Sequence, residues 1–247
     1  MRSRRSIRSS TSKRSARDAD YATMQASEFW NAPERFVVLD RIERRHRIED
    51  AFDTAQRLDA RLARDGADAG FIGRHAQLLW LMQLAVDAVA DRQPQDALLW
   101  LVAGEADLKR DPARTRRWWQ QWLAMYMAWA ERRNMRVDVL AQDPQRGRAQ
   151  LAVSGFGALA LLEAEHGLHV AEEDGDDGVQ RVACAVRVAP DLPGRTRPAQ
   201  PPADDDLRIC RRYRAAPSPL VRDAVRGWRT GRIDRVLAGD FDVIMGE

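Results

Sequence analysis

Between Trp118 and Trp129 the chain places Trp118, Trp119, Trp122 and Trp129, half of its eight tryptophans. Trp118, Trp122, Met125 and Trp129 fall on one helical stripe, and Trp119, Leu123, Tyr126 and Ala130 on the next. That is a broad apolar face at helical period. Asp111 before Pro112 reads as an N-cap followed by proline at the first helical position. Arg132 and Arg133 suit the negative end of the helix dipole, and Asn134 suits a left-handed exit. Met135 to Leu140 then alternates like a strand with one buried face. Rings of this size supply a core, and core packing is the reading the period favours. The competing role, a stacking platform for a nucleic-acid base, rests on the nearby cations Arg114, Arg116 and Arg117.

At 247 residues the chain suits one large or two small domains. The net charge is only +3, so it is no polycation overall, but nearly all its cations are arginine and they cluster. Cys184 and Cys210 are too few for a disulfide framework and lack metal-site spacing. No apolar run reaches membrane-spanning length, and the N-terminus lacks the apolar middle of a secretory leader. The expectation is a cytoplasmic protein with no membrane partner.

The expected order of domains starts with a basic tail over residues 1–26. Its first part carries Arg2, Arg4, Arg5, Arg8, Lys13, Arg14 and Arg17 without an acid. Such a composition builds no core. It reads as an RNA-binding arm, a transit segment or an inert extension. A helical domain follows over residues 27–94. Asn31 is placed as the cap of a helix burying Leu39, Ile42, Ile48, Phe52, Ala55, Leu58 and Leu62. A second helix is expected to bury Ile72, Leu79, Met82, Val86 and Val89 and to pack antiparallel to the first. Residues 95–190 read as an α+β domain. It holds a buried strand at Ala97 to Ala103, a charged loop from Glu105 to Arg117 and the tryptophan helix. Strands follow at Val137–Leu140, Ala149–Val153 and Arg181–Val188, with a helix through Ala158–Glu163. Residues 191–206 are a proline- and glycine-containing linker. Residues 207–247 open on a strand-like Leu207 to Cys210 and end in a helix with Ile233, Val236, Leu237 and Phe241.

Several of these stretches together resemble the bacterial class I peptide chain release factors, the release factor 2 branch in particular. Glu28-Phe29-Trp30-Asn31-Ala32-Pro33-Glu34-Arg35 resembles the family's Trp-x-x-Pro-Glu opening. Met125-Tyr126-Met127-Ala128-Trp129-Ala130-Glu131 resembles its Arg-Met-Tyr-Leu-Arg-Trp-Ala-Glu helix. Glu165-His166-Gly167-Leu168-His169 resembles its Glu-Thr-Gly-Val-His element, and Val186 to Pro190 the strand that ends its second domain. Arg229-Thr230-Gly231 and Val236-Leu237-Ala238-Gly239-Asp240-Phe241-Asp242 stand where the family has Arg-Thr-Gly and Val-Leu-Asp-Gly-Asp-Leu-Asp. The resemblance implies a helical N-terminal hairpin followed by a release-factor-like mixed α/β body, with residues 207–247 packed on that body.

The departures bear on function. The family's Gly-Gly-Gln loop positions water for ester hydrolysis, and no Gly-Gly-Gln occurs here. Pro190 to Asp206 joins directly the two pieces between which the family inserts that catalytic domain. The Ser-Pro-Phe codon-reading loop is replaced by the acidic run Glu172 to Gly178, which an mRNA backbone would repel. The Gly-Gly-Thr-Glu turn is replaced by Gly104-Glu105-Ala106-Asp107. Neither stop-codon reading nor peptide release carries over to any residue.

Of the histidines, His166 and His169 have a spacing that brings two imidazoles together, but no ligand set completes a metal site. The acidic run lacks the register of a calcium loop and reads as solvated. No nucleophile–base pair, phosphate loop or dinucleotide fingerprint occurs. The expectation is no enzyme, no cofactor, no metal and no small-molecule substrate. Two functions remain. One is a catalytically empty release-factor relative that docks on the ribosome or an RNA, with Arg4, Arg5, Arg8, Arg114, Arg116, Arg117, Arg222, Arg226 and Arg229 as RNA-contact candidates. The other is a protein-interaction module or decoy on the same scaffold, in which those arginines are a solvated face.

Overall fold

A computed structural model describes residues 19–65, 69–90, 93–175, 178–203 and 206–242. The basic segment through Arg17, with Arg4, Arg5 and Arg8, lies outside the described residues. The chain divides into two compact units, one running up to Val86 and including Leu192–Thr196, the other comprising Asp87–Asp191 and Arg197–Glu247.

The first unit is helical. A single 3-10 turn, Phe29–Asn31, precedes α1 (Arg35–Asp65), and α2 covers Ala69–Ala90. Asn31 does not cap α1. Ala32, held before Pro33, is extended with ψ 135° and interrupts the helical path. Arg61 lies over the Phe71 ring at 5.1 Å and His75 faces Asp59 at 4.0 Å, so the chain doubles back as an antiparallel hairpin. Asp20 receives Arg41 and Arg45 at 2.6 and 2.8 Å and ties the chain before α1 to that helix.

Phe29, Val38 and Ile42 are buried together, with Met24 and Leu39 against them. Ala51 and Ala55 continue the buried line, leaving Phe52 52% exposed, contrary to the sequence expectation. On α2 the buried positions are Phe71, Leu81 and Ala85, while Ile72, Leu79, Val86 and Val89 are exposed. The buried stripe is turned from the expected one. A helix apolar almost all round has too little contrast for its period to fix a face.

The second unit is a mixed sheet with one long helix on its inner face, the α+β class the pattern predicts. Its strands are β1 (Ala97–Ala103), β2 (Arg136–Asp143), β3 (Arg148–Ser154), β4 (Gly167–Gly175), β5 (Gly178–Pro190), β6 (Ile209–Arg214), β7 (Leu220–Asp223) and β8 (Arg229–Thr230). Their order is β2-β3-β1-β5-β4-β6-β7-β8. β4 and β6 pair in parallel and the other neighbours antiparallel. β1 is flanked on both sides and buried almost throughout, as a continuous apolar run requires. β2 is instead an edge strand with a register shift between Val139 and Ala141, and Val139 and Leu140 are exposed. The buried face expected for β2 does not form.

The expected loop from Glu105 to Arg117 is helical. It forms α3 (Glu105–Arg110) and the first turn of α4 (Pro112–Arg132). Glu105 and Asp107 sit in the first turn of α3 and Lys109 and Arg110 in the last, the arrangement a helix dipole favours. Asp111 caps α4, accepting from the Arg114 N–H at 3.0 Å, and Pro112 follows. Asn134 leaves the helix at φ 52°. Trp118, Trp119, Trp122, Met125, Tyr126 and Trp129 are all buried, which settles the tryptophan helix as core.

A short α5 (Ala158–Leu162) and a 3-10 turn at Glu163–Glu165 lead into β4. Within β4, Glu172 and Glu173 are paired strand residues and not the solvated loop expected of the acidic run. β6, β7 and β8 extend the sheet past β4, and α6 (Ile233–Leu237) returns the chain to α4. No helix of the described residues is long and apolar enough to cross a membrane.

Candidate functional site

Two junctions and one surface gather the chemistry of the second unit. The first junction fastens the end of the described chain to α4. The Asp242 carboxylate accepts from the Trp129 indole N–H at 2.8 Å and from the Arg133 Nε at 2.9 Å, with a second bond from the same guanidinium. Arg132 Nε donates to the Ala238 carbonyl at 2.8 Å. Phe241 stacks on Trp129 and meets Tyr126 edge-on. Gly239, at φ 87°, brings the backbone so close that a Cβ there would lie 2.3 Å from the Trp129 nitrogen. Only glycine permits both that dihedral and that approach.

The second junction is a buried polar lattice. Arg211 donates to Glu165 Oε1 at 2.7 Å and, through Nε and a terminal nitrogen, to Asp223 Oδ2 at 3.1 and 2.7 Å. Arg226 binds both carboxylates and donates to the Leu161 carbonyl at 2.9 Å. Tyr126 O–H donates to Glu165 Oε2 at 2.9 Å. Burial raises the Glu165 pKa, but the Arg211 and Arg226 guanidiniums overcome it and hold the carboxyl at about 2. Two anions thus meet two cations, and each carboxylate is hydrogen-bonded, which is what charge burial demands.

His169 completes the lattice. Burial disfavours its imidazolium and brings its pKa down to about 4, against the pull of the Glu165 carboxylate. Its Nε2 faces the Glu165 backbone carbonyl at 3.2 Å, which only accepts, so this nitrogen carries the proton. Nδ1 then accepts from Tyr213 O–H at 2.9 Å. Glu165, His169 and Cys210 bring ligand-type atoms within 4.8 Å of one another. They do not suit a cation, because both Glu165 oxygens are already engaged, largely by two guanidiniums. The Cys210 thiol, pushed up to about 12 by burial and the Glu165 charge, donates to the Ala164 carbonyl. Burial likewise lifts Cys184 to about 12, so neither cysteine offers a thiolate near neutral pH.

The RNA-contact candidates separate into three sets, with Arg4, Arg5 and Arg8 outside the described residues. Around the start of α4, Glu173 on β4 neutralises Arg114 at 3.2 Å and Arg117 at 2.7 Å and also accepts from the Trp118 indole. Arg116 donates to the Gln145 carbonyl at 3.2 Å. Arg226 is turned inward, its guanidinium committed to Glu165 and Asp223, and is a lattice member and not a surface cation. Arg222 and Arg229 do stand exposed, opposite one another on β7 and β8. The sequence groups Arg211 and Arg212 alike in an arginine-rich C-terminal segment with phosphate-contacting character, but only Arg212 is exposed and Arg211 is buried. The signal was present in Arg211-Arg212-Tyr213-Arg214, where strand alternation puts Arg211 with the buried Tyr213 and Arg212 with Arg214 on the other face.

No family model matches the sequence, and no curated protein matches it. Among solved structures the chain is similar to RF2 of Thermus thermophilus, at 16% identity and a TM-score of 0.46, over 90% of each chain.

Proposed function

We propose that this protein is a release-factor-like translation protein that has lost peptide-release catalysis and associates with the ribosome or its RNA. The observation that carries the reading is the α4 junction. The residues that bear the release-factor resemblance, Trp129 on the helix and Gly239, Phe241 and Asp242 in the closing element, are also the ones that meet there. Residues that match a family motif in order and also touch one another support common descent of the scaffold better than order alone. The catalytic loop is absent from the sequence, and Asp191 to Asp206 spans the gap where the family carries its catalytic domain. The sequence carries no Gly-Gly-Gln, and the reading is accordingly a binding protein and not an enzyme.

A second reading has its own observation. Ile72, Leu79, Trp80 and Val86 of α2 leave large apolar side chains open to solvent, a feature of surfaces that engage another protein. A module or decoy on the release-factor scaffold would use that surface and not the arginines.

Sedimentation through sucrose with purified ribosomes separates the two. The expected result is co-migration that weakens as salt rises, together with formyl-methionine release from stop-programmed ribosomes no greater than a blank without factor. Failure to co-migrate at low salt favours the interaction module. Release above the blank removes the proposal of lost catalysis.

A further inference from the structure

Three arginines stand in a row on the outer face of the sheet. Arg212 on β6 is in register with Arg222 on β7, and Arg222 with Arg229 on β8. All three are exposed, while Arg211, Tyr213, Val221 and Asp223 point to the inner face and are buried. With strands about 4.8 Å apart, the row is roughly 10 Å long. Like charges directly opposite one another in a sheet repel.

Several other arginines of this unit are answered by acids: Arg114 and Arg117 by Glu173, Arg133 by Asp242, Arg226 by Glu165. In the row, Arg212 shares Glu172 with Arg181, at 3.1 and 3.0 Å. Arg222 and Arg229 have no acidic partner among the described residues. Arg214 adds a fourth guanidinium on the same face, held to the Ser218 carbonyl at 3.0 Å. A face that lines up guanidiniums with one shared carboxylate among them fits a polyanion, and the guanidinium fork matches phosphate oxygens.

We infer that the row Arg212, Arg222 and Arg229 is the contact surface for the phosphate backbone of single-stranded RNA, which lies across the strands. The inference rests on the proposal that the protein binds RNA and specifies where. A single strand can follow a short straight row of cations, whereas a duplex offers its phosphates along two curved lines. The tryptophan and tyrosine rings packed beneath these strands, Trp228 and Tyr213, are buried and offer no stacking face. Binding is therefore through phosphates, indifferent to sequence and steeply salt-dependent.

The test measures anisotropy of a labelled oligouridylate over a range of potassium chloride. The full chain is compared with R222Q/R229Q, R222K/R229K and E172Q. Removing two phosphate contacts makes the slope of log affinity against log salt shallower by about 1.4, at ~0.7 per contact for a single strand. R222K/R229K keeps the slope. E172Q, which frees Arg212, binds tighter with a steeper slope. Thermal melts of the variants matching the parent show that the fold is unaffected, and E172Q carries the test if the glutamine pair melts early: binding no tighter than the parent's overturns the row.

If the parent binds with a steep slope and R222Q/R229Q binds equally, the row is overturned while RNA binding stands. A loss of affinity with the slope unchanged overturns the row too. If the parent binds neither oligouridylate nor ribosomes, the RNA proposal itself falls.

Discussion

Arg211 is fully buried, yet burial leaves it charged because Glu165 and Asp223 raise its pKa well above the ordinary value. The lattice around it ties stability to pH through two groups. Glu165 ionises at about 2 in the fold against 4.5 ordinarily, so its contribution is complete above pH 4.5 and is lost as pH falls through 2. His169 titrates at about 4 against 6.5 ordinarily. The unfolded chain therefore binds a proton there first, and stability falls with pH from 6.5 down to 4. The two windows join, and the His169 share alone reaches about 2 kcal/mol by pH 5, at roughly 1.4 kcal/mol per pKa unit. Urea unfolding of the parent at pH 7.5 and pH 5 is expected to show that loss, and H169Q is expected to remove most of it. An H169Q variant with the parent's full pH dependence between those values would show that another group is responsible. Little of this was legible in the sequence. Glu165 and Arg211 are 46 positions apart, and nothing local distinguishes Arg211 from its exposed neighbour Arg212 except the parity of the strand.

At the scale of elements, legibility followed how local the information was. The cap at Asp111, the proline after it, the apolar period and the exit at Asn134 all lie within or beside α4, and the helix forms as its residues dictate. The buried strand β1 was equally plain. β2 looked like its peers in sequence, but its edge position depends on β3, β1 and β5 stacking on one side only. The face of α2 was unreadable because too few polar residues mark its solvent side. Two substitutions test the packing of α4. Trp122 is fully buried and its indole N–H has no partner among the described residues, whereas the Trp129 N–H is met by Asp242. Trp→Ala at either position leaves a cavity and is expected to cost roughly 3–5 kcal/mol. Trp→Phe is expected to separate them. At Trp122 it removes an unmet donor along with some volume, and at Trp129 it removes a made bond as well, so Trp129→Phe is the costlier by about 1 kcal/mol. Denaturant melts giving the reverse order would contradict the hydrogen-bond assignment. Gly239→Ala drives a methyl into the backbone of α4, and hydrogen exchange over Ile233–Leu237 is expected to accelerate in that variant more than exchange within β1.

At the scale of the whole molecule, the two units differ in how deeply they bury their apolar surface. In the second, Leu99, Leu101, Trp119, Trp122, Met125, Leu151, Val186 and Phe241 have no exposed surface at all. In the first, the larger buried side chains, Phe29, Val38, Ile42, Phe71 and Leu81, keep 5–8% exposure, and among the described residues only Ala85 is sealed. Phe36, Val37, Phe52, Ile72, Leu79 and Trp80 are left open to solvent. Long helices with a shallow common core lean on propensity and on i,i+4 pairs such as the half-buried Arg44–Asp40, a kind of pair worth only a few tenths of a kcal/mol. Few sealed apolar contacts mean low local stability, and such regions open before the rest of a protein does. Native-state hydrogen exchange on the full chain is therefore expected to show α1 and α2 exchanging through openings of lower free energy than β1, β5 and α4. Mild denaturant should melt the helical unit first, so that unfolding followed by far-ultraviolet dichroism and by tryptophan emission does not coincide. Six of the eight tryptophans, Trp100, Trp118, Trp119, Trp122, Trp129 and Trp228, belong to the second unit, so emission reports mainly on the sheet and its helix. Superimposable curves from the two probes, with equal protection in α1 and β1, would contradict the lower stability argued from the hairpin's thin core.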